Sequence, residues 1–358
     1  MPSFGSRYTI EAKIGSGGMG SVYRAWDSIL NKPVAIKLLL VDFARDSVVR
    51  FHKEAKTTAR LSHPNILKVL DLGQTPGGDL YLVMDLLEGE SLSALIGSLG
   101  QVPPEIALPI FIQICAGLEH AHNHDILHRD IKPSNVMLVE DDRGRVQAKI
   151  VDFGLAKEQS EDQSLTAPGS TIGSPAYMSP EHCQGQDLDG RSDLYSLGCL
   201  IYETLSGRTP FPAESLLEAI QMHVNEISPP LIAQMGLEFP EELSRLVAKL
   251  LEKSPSDRFQ SAGQVSQALE EINQLYFAGL AESAVPVEDA TPVQMPAFGW
   301  GALSTGRSRI IGIVIFVLLS GFFCLFYISN VSQKSKEVVS IPEPILSAPV
   351  ITKIFESD

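Results

Sequence analysis

The chain has 358 residues, 44% of them hydrophobic and 20% charged, with a formal net charge of −15. This describes a globular chain able to bury a substantial core, as one large domain or two smaller ones, and excludes a fibrous or low-complexity protein. The acidic balance, 28 Lys and Arg against 43 Asp and Glu, speaks against nucleic acid as a partner but leaves room for a local basic pocket that holds phosphate.

The first residues, "MPSFGSRYTIEAK", contain no apolar run of the kind that opens a secretory leader, so none is expected. "RYTIEAKIG" and "SVYRAWD" read as strands on either side of a glycine-rich stretch, and "PVAIKLLL" reads as a third strand after a turn at Asn31-Lys32. Val48, Phe51, Ala55 and Ala59 recur at helical spacing, with Asp46 or Ser47 as N-cap. "ILKVLDLGQ" and "LYLVMDLL" are further strands. Beyond Pro103 the pattern turns helical: Ile110, Ile114, Leu118 and Ala121 form one apolar stripe, and "RSDLYSLGCLIYETLSG" is apolar enough to be a central buried helix. A strand-rich lobe followed by a helix-rich one predicts an α+β fold with a cleft between the two.

Residues 278–309 shift to Ala, Gly, Pro, Ser and Thr and read as a linker. Residues 310–328, "IIGIVIFVLLSGFFCLFYI", carry no charge. A helix rising about 1.5 Å per residue over this run nearly matches a hydrocarbon core of ~30 Å, so it is expected to span a membrane. Arg307 and Arg309 before it and Lys334 and Lys336 after it give no orientation from charge alone. Residues 329–358 form a short tail. The cysteines Cys115, Cys183, Cys199 and Cys324 lack C-x-x-C spacing and read as thiols of a reducing compartment. His120, His122 and His124 are read as helix-surface histidines: residues two apart on a helix point to different sides, and His120 with His124 alone make no metal site.

The stretch "IGSGGMGSVY" at residues 14–23 satisfies G-x-G-x-x-G, a weak signal by itself. A dinucleotide fingerprint requires a helix after the glycines, and a strand pattern follows here. A Walker loop requires Gly-Lys-Ser/Thr, and Met19-Gly20-Ser21 lacks the lysine. What remains is a hairpin whose backbone N–H groups fold over phosphates, with Lys37 of "VAIK" on the next strand supplying a cation.

In that order "GSGGMGSVY", "VAIK", "HRDIKPSN", "DFG" and "SPE" resemble the protein kinase superfamily, most of all its bacterial-type, membrane-anchored Ser/Thr kinases. The resemblance covers about residues 8–270. It implies a two-lobed kinase domain at residues 8–277, with an antiparallel N-lobe sheet plus one helix and a helical C-lobe. A linker and one transmembrane helix then follow, with a short extracytoplasmic tail. It also implies ATP and Mg²⁺ as cofactors, proteins as substrates, a cytoplasmic kinase domain on a single-pass membrane anchor, and a homodimer during autophosphorylation.

The resemblance assigns roles residue by residue. Ile14, Gly15, Ser16, Gly17, Gly18, Met19 and Gly20 cover the phosphates; Val22 and Ala35 pack on the base; Met84 gates the back of its pocket; and Asp85, Leu86 and Leu87 form the hinge. Lys37 holds the α- and β-phosphates. Glu54 pairs with it, preferred over Glu11 and Asp42 because it stands mid-helix in "FHKEAK". Asp130 accepts the proton of the substrate hydroxyl, Lys132 steadies the γ-phosphate, and Asn135 and Asp152 hold the metal. Ser174, where threonine is more usual, bridges Asp130 and Lys132. Glu181 of "SPE", which replaces Ala-Pro-Glu, pairs with Arg258. Asp193 anchors the catalytic loop, and Tyr195 replaces a usual tryptophan. In kinases with arginine before the catalytic aspartate, here Arg129, a phosphate on the activation segment commonly pairs with it. Thr171, then Thr166 and Ser170, are the expected phosphosites. A membrane-bound pseudokinase is disfavoured by the presence of Lys37, Glu54, Asp130, Asn135 and Asp152. The long segment between Asp152 and Glu181 disfavours a small-molecule phosphotransferase.

Overall fold

In the computed structural model, which describes residues 4–17, 20–39, 58–141, 143–153, 175–231 and 239–283, the glycine-rich stretch is the end of a β-hairpin. Strands β1 (Tyr8–Gly17) and β2 (Gly20–Asp27) pair antiparallel, with Gly17 opposite Gly20. They continue through β3 (Lys32–Leu39), β5 (Leu80–Asp85) and β4 (Val69–Gln74) into a five-stranded sheet of order β1-β2-β3-β5-β4. Gly20 is required by the sheet itself. Its φ is +142°, and a Cβ there would lie 1.9 Å from the Leu38 carbonyl oxygen on β3.

Side chains alternate across a strand, so paired residues share a face. Tyr23, Ile36 and Val83 lie on one face. With Phe4, Tyr8, Ala25, Val34 and Leu38 they make an aromatic-rich small-lobe core, in which the Phe4 ring meets Tyr81 edge-on at 5.0 Å. On the other face Gly15, Val22, Lys37 and Leu82 form one cross-strand row, and Ala35 and Met84 stand in the next. Of the helix expected from Asp46 onward, only its end near Thr58 is described.

The chain then passes through β6 (Gly89–Ser91) into α1 (Leu92–Leu99), which is N-capped by the Ser91 hydroxyl on the Ala94 N–H at 3.1 Å. Helix α2 (Pro104–His122) buries Ile110, Ile114, Leu118 and Ala121, the stripe read from the sequence. Strands β7 (Val136–Glu140) and β8 (Val146–Ile150) join β6 in a small second sheet. The central helix is α4 (Gly190–Ser206), preceded by the short α3 (Pro180–Cys183). Leu194, Leu197, Leu200 and Leu205 of α4 are fully buried among residues of α2, α6 (Glu241–Leu250) and α7 (Ala262–Ser283). Between α4 and α6 lies α5 (Leu216–Asn225). Helix α7 runs past residue 277, where the composition had placed the start of the linker. Ala278, Leu280, Ala281 and Glu282 are helix formers, and the composition shift hid that propensity.

Cys115, Cys183 and Cys199 are buried free thiols. Cys324, the rest of the linker, the apolar run 310–328 and the tail lie outside the described residues. Among the described residues no helix is long and apolar enough to cross a membrane.

One ion pair fastens α3 to the chain beyond α6. Arg258, with no exposed side-chain surface, meets Glu181 through two parallel bonds of 2.7 and 2.8 Å. Its remaining N–H groups reach the carbonyls of Glu252, Arg191 and Lys253, so the whole guanidinium fork is satisfied. The Ser192 hydroxyl adds a bond of 2.7 Å to Glu181. Burial pushes the Glu181 carboxyl up, but Arg258 and Ser192 outweigh it and hold its pKa below the ordinary 4.5. A depressed carboxyl pKa contributes stability that is present above about pH 4.5 and is lost as pH falls through the lower folded value. Arg258→Ala leaves a buried carboxylate uncompensated and is expected to lower unfolding stability by about 3–5 kcal/mol at pH 7 in urea titration. The gap to wild type should narrow below pH 4.5; a gap independent of pH would refute this account.

Candidate active site

The loop between α2 and β7 carries "HRDIKPSN", and its shape is set from below by a buried carboxylate. Asp193, in the first turn of α4, accepts the backbone N–H of His128 and of Arg129, each at 2.8 Å, and the His122 Nε2–H at 2.8 Å. Burial raises the pKa of this carboxyl; the hydrogen bonds from His122 and the His128 N–H reverse that and leave it below the usual value. Arg129 takes φ +63° at this anchor, a left-handed conformation that costs a non-glycine residue about 1–3 kcal/mol.

His122 is therefore no surface histidine. Its ring is largely buried, and it approaches α4 where Gly190 leaves room: a Cβ on Gly190 would lie 2.9 Å from the His122 Nδ1. His120 and His124 do share a face, with ring centroids 4.5 Å apart, and His63 stacks on His120 at 5.2 Å. Among the described residues no group of three or more His, Cys, Asp or Glu could hold a metal.

His128, which the sequence reading left without a role, joins the two halves of the site. Its Nδ1 accepts the Asp130 N–H at 3.2 Å, so the proton is on Nε2, which donates to the Val151 carbonyl at 2.9 Å. Burial lowers the proton affinity of this imidazole and keeps it neutral. Its ring packs on Phe153 with centroids 4.6 Å apart. One side chain thus fixes both the Asp130 backbone and the strand end that precedes Asp152. The only sequence signal was its place next to Arg129-Asp130.

Asp130 Oδ2 receives Lys132 Nζ at 2.9 Å and Asn135 Nδ2 at 3.2 Å, and the same amide nitrogen donates to the Asp130 carbonyl at 2.8 Å. The Val151 N–H donates to the Asn135 carbonyl at 2.9 Å. Asp152, at φ +61°, accepts Lys37 Nζ at 2.6 Å. The structure thereby brings Lys37, Asp130, Lys132, Asn135 and Asp152 into one bonded set. The Asn135 side chain makes both of these bonds through Nδ2, so its oxygen and the part-exposed Asp152 carboxylate are the hard donors of the site. One amide and one carboxylate suit Mg²⁺, which keeps waters and takes further oxygens from phosphates.

Val22, Ala35, Lys37 and Met84 share a sheet face with Gly15; Ile14 is half exposed on the same hairpin, and Ser16 pairs with Ser21. Asp85, at the end of β5 ahead of Leu86 and Leu87, meets Lys32 at 2.6 Å, and its N–H donates to the Lys68 carbonyl. Gly18, Met19, Glu54, Thr166, Ser170, Thr171 and Ser174 lie outside the described residues. At the far end of the segment, the Ser179 hydroxyl accepts the His182 N–H and caps α3. Alanine at that position lacks the capping oxygen.

A family model described as the protein kinase domain matches residues 8–271. The chain is 37% identical over 270 residues to the serine/threonine-protein kinase PknB of Mycobacterium leprae, across 74% of this chain and 42% of that protein. It is 36% identical to PknB of Mycolicibacterium smegmatis over 75% of this chain and 43% of the relative. To a probable serine/threonine-protein kinase of Streptomyces coelicolor it is 39% identical, over 74% of this chain and 40% of the relative. The matched region thus spans less than half the length of each of these relatives.

Replacing Asp193 by Ala strands two backbone N–H groups, at His128 and Arg129, and is expected to cost about 1–3 kcal/mol for each. Amide hydrogen exchange should quicken at residues 128–130 more than in the core of α2. Unchanged protection of those amides would overturn the anchoring role.

Proposed function

Because the chain belongs to the protein kinase domain family, we propose that it transfers the γ-phosphate of ATP to serine and threonine hydroxyls of proteins, its own activation segment included. The observation that carries the reading is the bonded set in which Asp130 is oriented by Lys132 and Asn135 while Lys37 meets Asp152.

Phosphoryl transfer through a loose transition state depends mainly on positioning and charge neutralisation. Asp130, on a loop fixed by Asp193, takes the proton of the acceptor hydroxyl. Lys132, bonded to Asp130, also steadies the γ-phosphate in this reading. Lys37 holds the α- and β-phosphates from the sheet face where Gly15 covers them, Val22 and Ala35 pack on the base and Met84 gates the back of its pocket; the backbone of residues 85–87 reads the base edge. Bound Mg²⁺, held by Asp152 and Asn135, supplies neutralisation of the phosphate charge. Pairing of Glu54 with Lys37, and bridging by Ser174, complete the reading on residues outside the described ones. The hydroxyls of Thr171, Thr166 and Ser170, amid Gly and Pro, are proposed as autophosphorylation sites. Each phosphate adds about −1.5 to −2 charge, enough to order a loop against arginine.

We further propose that residues 310–328 cross a membrane once, with residues 8–283 in the cytoplasm beside their ATP. The support is the uninterrupted apolar sequence of that run.

Asp130→Asn is expected to lower phosphate transfer by about 10²–10⁴-fold while ATP affinity stays within a few-fold. Transfer and nucleotide binding are measured in parallel, with phosphosites mapped on the wild type. Near-wild-type transfer by the variant removes Asp130 from the chemistry. A wild type with no phosphate mapped in residues 154–174 removes the activation-segment sites.

The full chain is expected to stay with membranes through carbonate extraction, and a chain ending at Ser283 to be soluble and active. A full chain released by carbonate would end the membrane reading.

A further inference from the structure

Arg24 of β2 is a cation on the nucleotide face of the small-lobe sheet that neither the phosphate set nor the base set uses. Strand pairing places Ala12, Arg24, Ala35 and Met84 in one cross-strand row, next to the row of Val22 and Lys37. The residues on either side of it, Ala12 and Ala35, carry only a methyl group and leave the guanidinium room to lie along the sheet.

Its partners come from two different parts of the chain. The Nε–H donates to Glu11 Oε2 at 2.8 Å, and Nη1 donates to Glu88 Oε1 at 3.3 Å. Glu11 reaches the arginine through a bulge: β1 steps from Ile10 to Ala12 while β2 steps only from Ala25 to Arg24, so Glu11 is the extra residue. Such an insertion re-aims a side chain, here toward the guanidinium. Glu88 stands on the crossing between the lobes, directly after residues 85–87. The Arg24–Glu88 bond therefore runs from the glycine hairpin to the chain that follows the hinge, and Glu11 fixes the guanidinium so that Nη1 faces that chain.

The bond is weak by itself. Arg24 and Glu11 each keep 40% of their side-chain surface exposed and Glu88 keeps 78%, so water screens the charges. A gate needs a bond of this kind. An interaction that changes an equilibrium a few-fold alters how often the hairpin is down without locking it.

We propose that Arg24 is a positioning residue whose bond to Glu88 holds the hairpin of β1 and β2 down against the chain after the hinge and so slows the departure of ADP. This rests on the kinase reading above, in which the hairpin covers the phosphates. Glu11 serves to aim the arginine.

The test uses the full chain in detergent, loaded with unlabelled ADP and Mg²⁺ and mixed with an excess of a fluorescent ATP analogue that reports each departure. Arg24→Met and Glu88→Gln are each expected to speed ADP release about two- to fivefold. The double variant should release no faster than the faster single one, because both substitutions break the same bond. Melting temperatures should stay within about 3 °C of wild type. Glu88→Gln separates a latch from plain attraction. If Arg24 acted only by drawing the anionic nucleotide, removing a nearby acid would slow release, and slower release by this variant overturns the proposal. Unchanged release in both single variants also overturns it, as does a double variant whose effect is the product of the two. A wild type that binds ADP yet phosphorylates neither itself nor a randomised Ser/Thr peptide library refutes the kinase reading, while the release rates still decide the latch.

Discussion

A carboxylate that water cannot reach stays ionised only if fixed donors replace the water, and Asp193 meets that condition at the N-terminal turn of α4. Two backbone N–H groups and one imidazole converge on it. The chain at His128 and Arg129 must bend to bring those donors in, which is why Arg129 accepts a left-handed backbone. The consequences pass outward through hydrogen bonds. His128, held at its N–H, presents Nδ1 to the Asp130 backbone and Nε2 to Val151; Val151 in turn donates to Asn135. Both acidic side chains of the site thus stand one or two bonds from a single buried charge, and neither is placed by its own loop alone.

The second buried charge is of a different kind. The Glu181–Arg258 pair bridges distant parts of the chain, and every donor of the guanidinium is used. Such pairs add little net stability compared with apolar packing, but losing one partner is costly, so they hold a register more than they deepen a fold. Arg258 also lies against Tyr195.

Much of this was legible because it is local. Strands on either side of the glycines follow from alternation. Ile110, Ile114, Leu118 and Ala121 face one way because helical spacing demands it, and the apolar run of α4 can only be central. The order of the motifs marked Lys37, Asp130, Asn135 and Asp152 before any distance was known. Other features depend on what packs against what. Helical spacing separated His122 from His120 and His124, yet nothing in it shows that the His122 side of α2 meets the start of α4, an approach that Gly190 permits. His128 has two ring nitrogens whose tasks are set by Val151, far along the chain. Ser179 looked like a mild departure from a family pattern; only the helix starting at Pro180 shows its oxygen at work as a cap. The end of α7 was obscured because its helix formers, Ala278, Leu280, Ala281 and Glu282, stand beside Gly279 and Ser283 and merge with the Ala, Gly, Pro and Ser composition that follows.

One feature of the fold has a mechanical meaning. Behind the stretch after β5, Ile66 lies in a parallel bridge with Ile150, the Asn65 carbonyl accepts the Ile150 N–H, and the Leu67 N–H donates to the Ile150 carbonyl. The Asn65 side-chain amide adds bonds to Gln113 and the Ala148 carbonyl. Among the described residues the small-lobe sheet thus meets the helical lobe at the covalent crossing of residues 85–89, at this clasp and at the Lys37–Asp152 ion pair. The first two run through the backbone; the third is made by side chains alone, so it is the tie that a single substitution can remove.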